Sequence, residues 1–197
     1  MQTRIMPSAD VDKRAHIGAD TTVWHLAQVR EHARLGRGCI VGRGAYVDAG
    51  VHIGDHVKLQ NYALVYAPAR LDDGVFIGPA AILTNDSYPR SISPDGGLKR
   101  GEDWQARGVS VGQGAAVGAR AVVLGGVSIG RWAMIGAGAV VTHDVTEHAL
   151  VVGTPARQVG WVGPAGVPLT EDGPGCWRCP QTGSRYLESD GRLLEAP

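Results

Sequence analysis

The chain has 197 residues, of which 29 are glycine, and its 19 Lys and Arg residues balance its 19 Asp and Glu residues. A chain of zero net charge has no overall field of one sign, which argues against nucleic acid or an anionic membrane as a partner. The N-terminal segment lacks the apolar core of a signal peptide, and no run reaches the roughly 18 apolar residues of a membrane span. We therefore expect a cytoplasmic protein.

An aliphatic residue stands at every sixth position over most of the chain. A period of six would scatter these residues around a helix, whereas it suits strands, whose side chains alternate between two faces. A small or β-branched residue stands two positions before most of them, on the same side. We predict that each hexad is a short strand and a corner, and that three hexads form one triangular coil of a parallel β-helix. The aliphatic positions are Ile5, Val11, Ile17, Val23, Val29, Leu35, Val41, Val47, Ile53, Leu59, Val65, Leu71, Ile77, Leu83 and, after a break, Val111, Val117, Val123, Ile129, Ile135 and Val141.

The repeat is interrupted once, between Leu83 and Val111, and the separation of these two residues is not a multiple of six. Long loops that leave a rigid scaffold commonly carry function. We therefore predict an extruded active-site loop at residues 84–108. The repeat decays after Val141, which predicts a β-helix domain over residues 1–157. Residues 158–197 are expected to form a short, irregular C-terminal extension that packs back on the rod or on a neighbouring subunit.

Three cysteines bear on metal binding. Cys39 occupies an inward position of the repeat and is expected to be a small core residue. Cys176 and Cys179 form a single C-x2-C pair, whereas a structural zinc site needs four ligands. We predict reduced thiols in the extension and no metal site.

Several motifs resemble the hexapeptide-repeat acyltransferases, and within them the nucleotide-linked 3-amino sugar N-acetyltransferases that act on UDP-2-acetamido-3-amino-2,3-dideoxyglucuronate. These motifs are Val23-Trp24-His25-Leu26, Val57-Lys58-Leu59-Gln60-Asn61, Val75-Phe76-Ile77-Gly78-Pro79, Leu83-Thr84-Asn85 with Tyr88-Pro89-Arg90-Ser91, and Val151-Val152-Gly153-Thr154-Pro155-Ala156-Arg157 with Gly160-Trp161-Val162. The resemblance implies an all-β fold with a left-handed parallel β-helix. It also implies a homotrimer with sites between subunits, and acetyl-CoA as acyl donor. Departures at Leu26, Gln28, Tyr62 and His143 leave the particular amino sugar open.

The donor site is predicted at a column of small residues. Ala119 and Ala137 are three hexads apart at one hexad position, so they stack on successive coils where an extended pantetheine arm can approach the backbone. By resemblance, Arg157 and Trp161 lie near the phosphate and adenine end of CoA. The alternative for both residues is packing, and Ala119 and Ala137 are alternatively only small outward residues of the repeat.

The resemblance places Asn85 near the sugar amine. An amide cannot act as a general base, so Asn85 would orient the amine or hold the thioester carbonyl. His25 is the titratable alternative, unless it is a structural histidine at a corner.

Four residues are predicted to bind the acceptor. Gln60 and Asn61 are candidates for uridine, ribose or sugar hydroxyl groups, although such residues also stack along β-helices for structure alone. In the loop, Asp86 accompanies Arg90, whose guanidinium suits a diphosphate or a sugar carboxylate, and a solvated arginine is the alternative.

The resemblance thus implies N-acetylation of the 3-amino group of a UDP- or dTDP-linked amino sugar, for surface polysaccharide or glycoconjugate biosynthesis. An O-acetyltransferase on a small metabolite such as serine is the nearest alternative. A γ-type carbonic anhydrase-like zinc protein is less favoured, because no third histidine follows His52 and His56 at a plausible place and residues 84–108 contain none. A noncatalytic trimer rod is a further alternative.

Overall fold

A computed structural model describes residues 2–196. The strands from β1 to β20 are two residues long and form three parallel sheets, which are the faces of a triangular prism. The first face contains β1 (Arg4–Ile5), β4 (Thr22–Val23), β7 (Ile40–Val41), β10 (Lys58–Leu59), β13 (Phe76–Ile77), β16 (Ala116–Val117) and β19 (Met134–Ile135), and continues into β21 (Ala149–Val152). The second face contains β2 (Asp10–Val11), β5 (Gln28–Val29), β8 (Tyr46–Val47), β11 (Leu64–Val65), β14 (Ile82–Leu83), β17 (Val122–Val123) and β20 (Val140–Val141). The third face contains β3 (His16–Ile17), β6 (Arg34–Leu35), β9 (His52–Ile53), β12 (Arg70–Leu71), β15 (Ser110–Val111) and β18 (Ser128–Ile129).

The strand register confirms that three hexads form one coil. Ile5 pairs with Val23, and Leu59 pairs with Ile77. Across the break, Leu71 pairs with Val111, so these two residues lie on adjacent coils despite the loop between them. The loop is therefore an insertion into a single coil, and it does not change the stacking above or below it.

The aliphatic residues and their small partners point into the prism. Val29, Leu59, Ile77 and Leu83 are almost completely buried, and Cys39 lies among the core residues as predicted. Each coil buries its apolar side chains against the coils above and below, so the stacking itself forms the core.

The three edges of the prism are the corners between strands. The first edge, between the first and second faces, has at its centre Pro7, His25, Arg43, Asn61, Pro79, Ala119 and Ala137. The second edge, between the second and third faces, has Lys13, Glu31, Ala49, Ala67, Asn85, Gly125 and His143. On the first edge, from the third coil upward, the residue that follows the central one donates its backbone N–H to the carbonyl of the central residue in the coil below. Gly138, for example, donates to Ala119 at 2.8 Å.

The glycines that follow the aliphatic residues are needed because neighbouring coils stack closely there, and not because the backbone angles are unusual. A Cβ atom on Gly78 would lie 2.6 Å from the nitrogen of Ala119 in the next coil. The positive φ angles fall two residues later in the corner, for example at Leu26, with φ of 60°, and at Gly44, with φ of 64°.

The C-terminal segment corrects the expectation of an irregular tail. After β21, strand β22 (Arg157–Trp161) turns back antiparallel to it. A four-stranded antiparallel sheet follows, formed by β23 (Thr170–Glu171), β24 (Cys176–Arg178), β25 (Arg185–Ser189) and β26 (Arg192–Glu195). This sheet packs on the rod, as Tyr186 is buried with its ring centroid 5.8 Å from that of His148.

The hairpin of β25 and β26 carries a sequence signal for this sheet at its turn, whereas its strands carry little. Its turn is Asp190-Gly191, with φ of 50° and 67°. Positive φ at both central residues is the requirement of a type I′ turn, and Asp-Gly is one of its preferred sequences. The turn therefore pairs two short strands whose hydrophobic alternation is weak.

Candidate functional site

Three of the predicted residues line one cleft on the first edge. His25, Gln60 and Asn61 surround a volume of about 320 Å³ together with Trp24, Ile40, Gly42, Arg43 and Leu59. The cleft extends over three coils because positions 25, 43 and 61 follow one another at intervals of three hexads. The structure thus brings His25 to the two predicted substrate-binding amides.

Hydrogen bonds already engage part of this cleft. Nδ1 of His25 lies 2.8 Å from the hydroxyl oxygen of Ser8, one coil below. The side-chain oxygen of Asn61 accepts the backbone N–H of Arg43 at 2.9 Å. Asn61 therefore has a structural role, while its amide N–H groups have no acceptor within residues 2–196.

Higher on the same edge, the backbone N–H groups that correspond to that of Arg43 have no side-chain acceptor in the coil above. Ala119 is followed on the next coil by Ala137, whose side chain cannot accept a hydrogen bond. Within residues 2–196, the N–H groups of Ala119 and Ala137 have no hydrogen-bond partner. The carbonyl of Ala119 is already bonded to Gly138. The column of alanines thus presents backbone donors one coil apart, about 4.8 Å along the prism.

Asn85 lies on the second edge, where the chain enters the loop. Its side-chain N–H donates to the carbonyl of Ala67 at 2.7 Å, and its carbonyl accepts the N–H of Arg107 at 2.9 Å. The first bond takes the place of the backbone bond that a regular corner would make to Ala67. The second bond closes the neck of the loop. Among residues 2–196, no donor bonds to the side-chain oxygen of Asn85, which can still accept a hydrogen bond.

A polar cluster supports Asn85 from the coils below. The carboxylate of Asp48 accepts hydrogen bonds from the N–H of Ala67 at 3.1 Å and from the hydroxyl of Tyr46 at 2.9 Å, and it pairs with Arg30 at 3.1 Å. Burial opposes ionisation of Asp48, but the donated hydrogen bonds outweigh it and hold the pKa of the carboxyl below its usual value. Burial raises the pKa of Tyr46, which keeps its hydroxyl protonated as a donor.

The other predicted loop residues lie close to Asn85 in sequence and bond to neighbouring residues of the loop. The carboxylate of Asp86 accepts the N–H of Tyr88, and the guanidinium of Arg90 donates to the carbonyl of Pro89. The loop folds on itself through the bridge between Ile92 and Leu98 and a 3-10 turn at Gly101–Asp103.

The two predicted CoA residues beyond the rod lie in different surroundings. Arg157 is exposed and lines a pocket of about 370 Å³ with His143, which stands two coils above Asn85 on the second edge. Trp161 is only 3% exposed, and its indole N–H donates to Glu188 at 3.0 Å. This environment matches the packing alternative for Trp161.

The predicted residues therefore divide between two edges of the prism. His25, Gln60, Asn61, Ala119 and Ala137 follow the first edge, whereas Asn85 and the loop project from the second. The second face separates the two groups, so one chain does not bring them to a single point.

Sequence reasoning missed Trp24 and Arg43, which complete the cleft on the first edge. A usable signal was present, because Arg43 stands three hexads after His25 and three hexads before Asn61. Once a coil consists of three hexads, residues at that interval must share an edge.

Among residues 2–196, no group of three or more His, Cys, Asp or Glu side chains is arranged to hold a metal ion. The same residues contain no helix long and apolar enough to cross a membrane.

Comparisons with known families match the two blocks of the repeat. The model of the bacterial transferase hexapeptide, with six repeats, matches residues 108–143, and that of the hexapeptide repeat of succinyl-transferase matches residues 33–67. The bifunctional protein GlmU of Rhodococcus jostii is 29% identical over 118 residues, which cover 57% of this chain and 24% of GlmU.

Two solved structures are informative. A variant of perosamine N-acetyltransferase from Caulobacter crescentus, in complex with CoA and GDP-perosamine, is 28% identical with a TM-score of 0.50. The match covers 81% of this chain and 57% of that one. LpxA of Bacteroides fragilis, a UDP-N-acetylglucosamine acyltransferase, superposes with a TM-score of 0.66 at 14% identity and covers 81% of this chain and 61% of that one, which bears on the fold alone.

The fold is a left-handed parallel β-helix built from hexapeptide repeats, as predicted. The matches also confirm the predicted resemblance to the hexapeptide-repeat acyltransferases, among which are sugar N-acetyltransferases. The chain spans about a quarter of the length of the curated relative GlmU and 57% of the perosamine enzyme.

Proposed function

We propose that this protein is an acetyl-CoA-dependent N-acetyltransferase that acts on the amino group of a nucleotide-linked amino sugar. The observation that carries the proposal is the column of unpaired N–H groups at Ala119 and Ala137. Exposed backbone donors at a regular spacing suit the amide carbonyl groups of an extended pantetheine arm, and small side chains allow its approach. The perosamine enzyme, which was solved with CoA and an amino sugar linked to a nucleotide, supports the same pair of substrates here.

In this proposal the site forms between copies of the chain in a homotrimer. The first edge of one copy supplies Ala119 and Ala137, and the second edge of its neighbour supplies Asn85. Asn85 belongs to the coil directly below Ala119, so parallel prisms at equal height bring the two residues to nearly the same level. The loop exposes Tyr88, Ile92 and Leu98 by 85%, 54% and 72%, and these apolar surfaces suit a neighbouring copy.

The reaction follows from these donors and acceptors. The free amine attacks the thioester carbonyl carbon, the carbon–sulfur bond breaks, and the proton that the amine loses passes through solvent to the sulfur, so that CoA leaves as the thiol. Asn85 cannot take that proton, but its side-chain oxygen accepts a hydrogen bond from the amine and fixes the direction of attack. A neutral amine needs no strong base, whereas a hydroxyl acceptor does. We therefore favour an amine over serine as the acceptor.

The finer features of the substrate belong to the same proposal. They are a UDP or dTDP linkage, the 3-amino position, and a place in surface polysaccharide or glycoconjugate biosynthesis. Arg90 and Asp86 of the loop are proposed to contact the sugar or its diphosphate, and Arg157 the phosphates of CoA. Arg157 is exposed and lines a pocket, so its guanidinium is accessible to a phosphate, which supports the last assignment.

A thiol-release assay with acetyl-CoA tests the function directly. The acceptors are a panel of UDP-, dTDP- and GDP-linked 3-amino and 4-amino sugars, with serine and bicarbonate as negative controls. We expect acetyl-CoA-dependent thiol release with at least one nucleotide-linked amino sugar and none with serine. Turnover of serine alone, or stoichiometric zinc with hydration of carbon dioxide, would contradict the proposal.

A further inference from the structure

We propose that the cleft formed by Trp24, His25 and Arg43 binds the nucleoside diphosphate of the acceptor, with Arg43 at the diphosphate and Trp24 at the base. This inference rests on the proposed function, since it requires an acceptor linked to a nucleotide. It assigns a role to Trp24 and Arg43, and it changes the role of His25.

The chemistry of the cleft suits an anionic ligand with a flat ring. Its lining contains one indole, one guanidinium and two carboxamides, and it contains no carboxylate. The guanidinium of Arg4 lies 4.9 Å from the centre of the Trp24 ring and adds a second positive charge. Arginine binds phosphate oxygens in a bidentate manner, and nucleobases stack on aromatic side chains.

The guanidinium of Arg43 is available for such a ligand. Within residues 2–196 the Arg43 side chain has no ion-pair or hydrogen-bond partner, and it lines the cleft. Some arginines of the rod are paired, as Arg37 is with Asp55 at 3.0 Å and Arg30 with Asp48 at 3.1 Å. Within residues 2–196, Arg34, Arg70 and Arg120 are unpaired like Arg43. Arg34 also lines a pocket without acids, but the cleft of Arg43 differs from that pocket because it adds an indole and two carboxamides to the guanidinium.

The position of the cleft matches the order of groups in a nucleotide-linked sugar. The cleft runs from His25 to Asn61, and Ala119 stands two coils above Asn61, about 10 Å further along the edge. The intervening coil carries Pro79 on the first edge and Asn85 on the second. In this arrangement the groups lie down the edge in a fixed order: the acetyl group, the sugar amine, the diphosphate and the base.

This order changes the assignment of His25. It lies three coils below the level of Asn85, about 14 Å along the prism. His25 is therefore placed at the nucleotide, and not at the amine where a general base would act.

Titration calorimetry of the full chain with UDP, dTDP, GDP and the corresponding nucleosides tests the subsite without any chemistry. We expect at least one diphosphate to bind. Arg43→Gln should weaken its affinity at least tenfold and leave nucleoside affinity within twofold. Trp24→Leu should weaken both ligands. Arg37→Gln is the matched control, an arginine on another edge, and should change neither.

The outcomes separate this inference from the proposed function. If an amino sugar nucleotide is acetylated but Arg43→Gln and Trp24→Leu leave its KM unchanged, the subsite is wrong and the function stands. If diphosphates bind as expected but no nucleotide-linked amino sugar is acetylated, the subsite stands and the function fails. Absence of diphosphate binding to the wild-type chain overturns the inference. Trp24→Phe, which keeps an aromatic ring, replaces Trp24→Leu if the latter unfolds by circular dichroism, and is expected to retain most of the base affinity.

Discussion

The side-chain amide of Asn85 donates a hydrogen bond of 2.7 Å to the carbonyl oxygen of Ala67, in the coil directly below. Asp48 holds the N–H of the same residue at 3.1 Å. The peptide groups around Ala67 are thus fixed on both sides, and the direction of the Asn85 side chain is fixed with them. Asn85 presents its oxygen, and not its nitrogen, to an incoming group.

Replacement of Asn85 by Ala should lower turnover more than tenfold, because the amine loses the acceptor that orients it. The KM for acetyl-CoA should change little, since Ala119 and Ala137 are unaffected. Steady-state kinetics and light scattering of the oligomer measure both. Ser91→Ala, an exposed change in the same loop, is the control. An unchanged rate in Asn85→Ala would remove this residue from the mechanism.

A bulky residue at Ala137 should block the pantetheine arm. We expect Ala137→Trp to raise the KM for acetyl-CoA at least tenfold while the affinity for nucleoside diphosphates stays within twofold. The matched control is Ala19→Trp, a change at the corresponding corner position on a different edge. Equal effects of the two substitutions would show that the donor does not use the first edge.

Mixed oligomers test whether each site is shared between copies. Asn85→Ala chains and Ala137→Trp chains should both be nearly inactive alone. Co-expressed and purified as mixed assemblies through two different affinity tags, they should recover activity well above either parent, because some sites then combine two intact edges. No recovery in mixed assemblies would place the whole site within one chain.

Asp48 should make stability depend on pH. Its pKa is lower in the folded chain than in the unfolded chain, so its contribution is present above the usual aspartate value of about 4 and is lost as the pH falls below it. Asp48→Asn should destabilise the chain by about 1–3 kcal/mol at pH 7. The difference from wild type should shrink below about pH 4 in urea unfolding. Asp72→Asn, at an exposed corner, is the comparison; a pH-independent effect of Asp48→Asn would contradict the assignment.

Glu188 should anchor the C-terminal sheet to the rod. One of its carboxylate oxygens accepts the indole N–H groups of Trp161 at 3.0 Å and of Trp177 at 2.8 Å. Glu188→Leu leaves the buried donor of Trp161 without a partner, which should cost about 1–3 kcal/mol. Urea unfolding followed by tryptophan fluorescence measures the change. Glu171→Leu, an exposed change in the same sheet, should have less than half the effect; equal effects would exclude a special role for Glu188.

The rod was predictable because one local rule repeats. From Val23 onward, each hexad of the rod buries its aliphatic residue, so Ile77 is placed by counting alone. The same counting assigns residues to edges, and it places Arg43 between His25 and Asn61. The C-terminal sheet was not found because its strands lack the repeat and depend on the single turn at Asp190 and Gly191. Trp161 is buried by that sheet, so its burial could not be predicted from the repeat either.

Every coil of the prism offers the same backbone, so a ligand has no inherent reason to bind at one height rather than another. On the first edge the side-chain oxygen of Asn61 accepts the N–H of Arg43, so that N–H is not available to a ligand. At Ala137 that side chain is missing, and the donor below it stays open. The absence of an acceptor at this corner therefore leaves a backbone donor open to a ligand. Ala137→Asn would supply the missing acceptor, and it would make the donor groove as closed as the corner at Arg43.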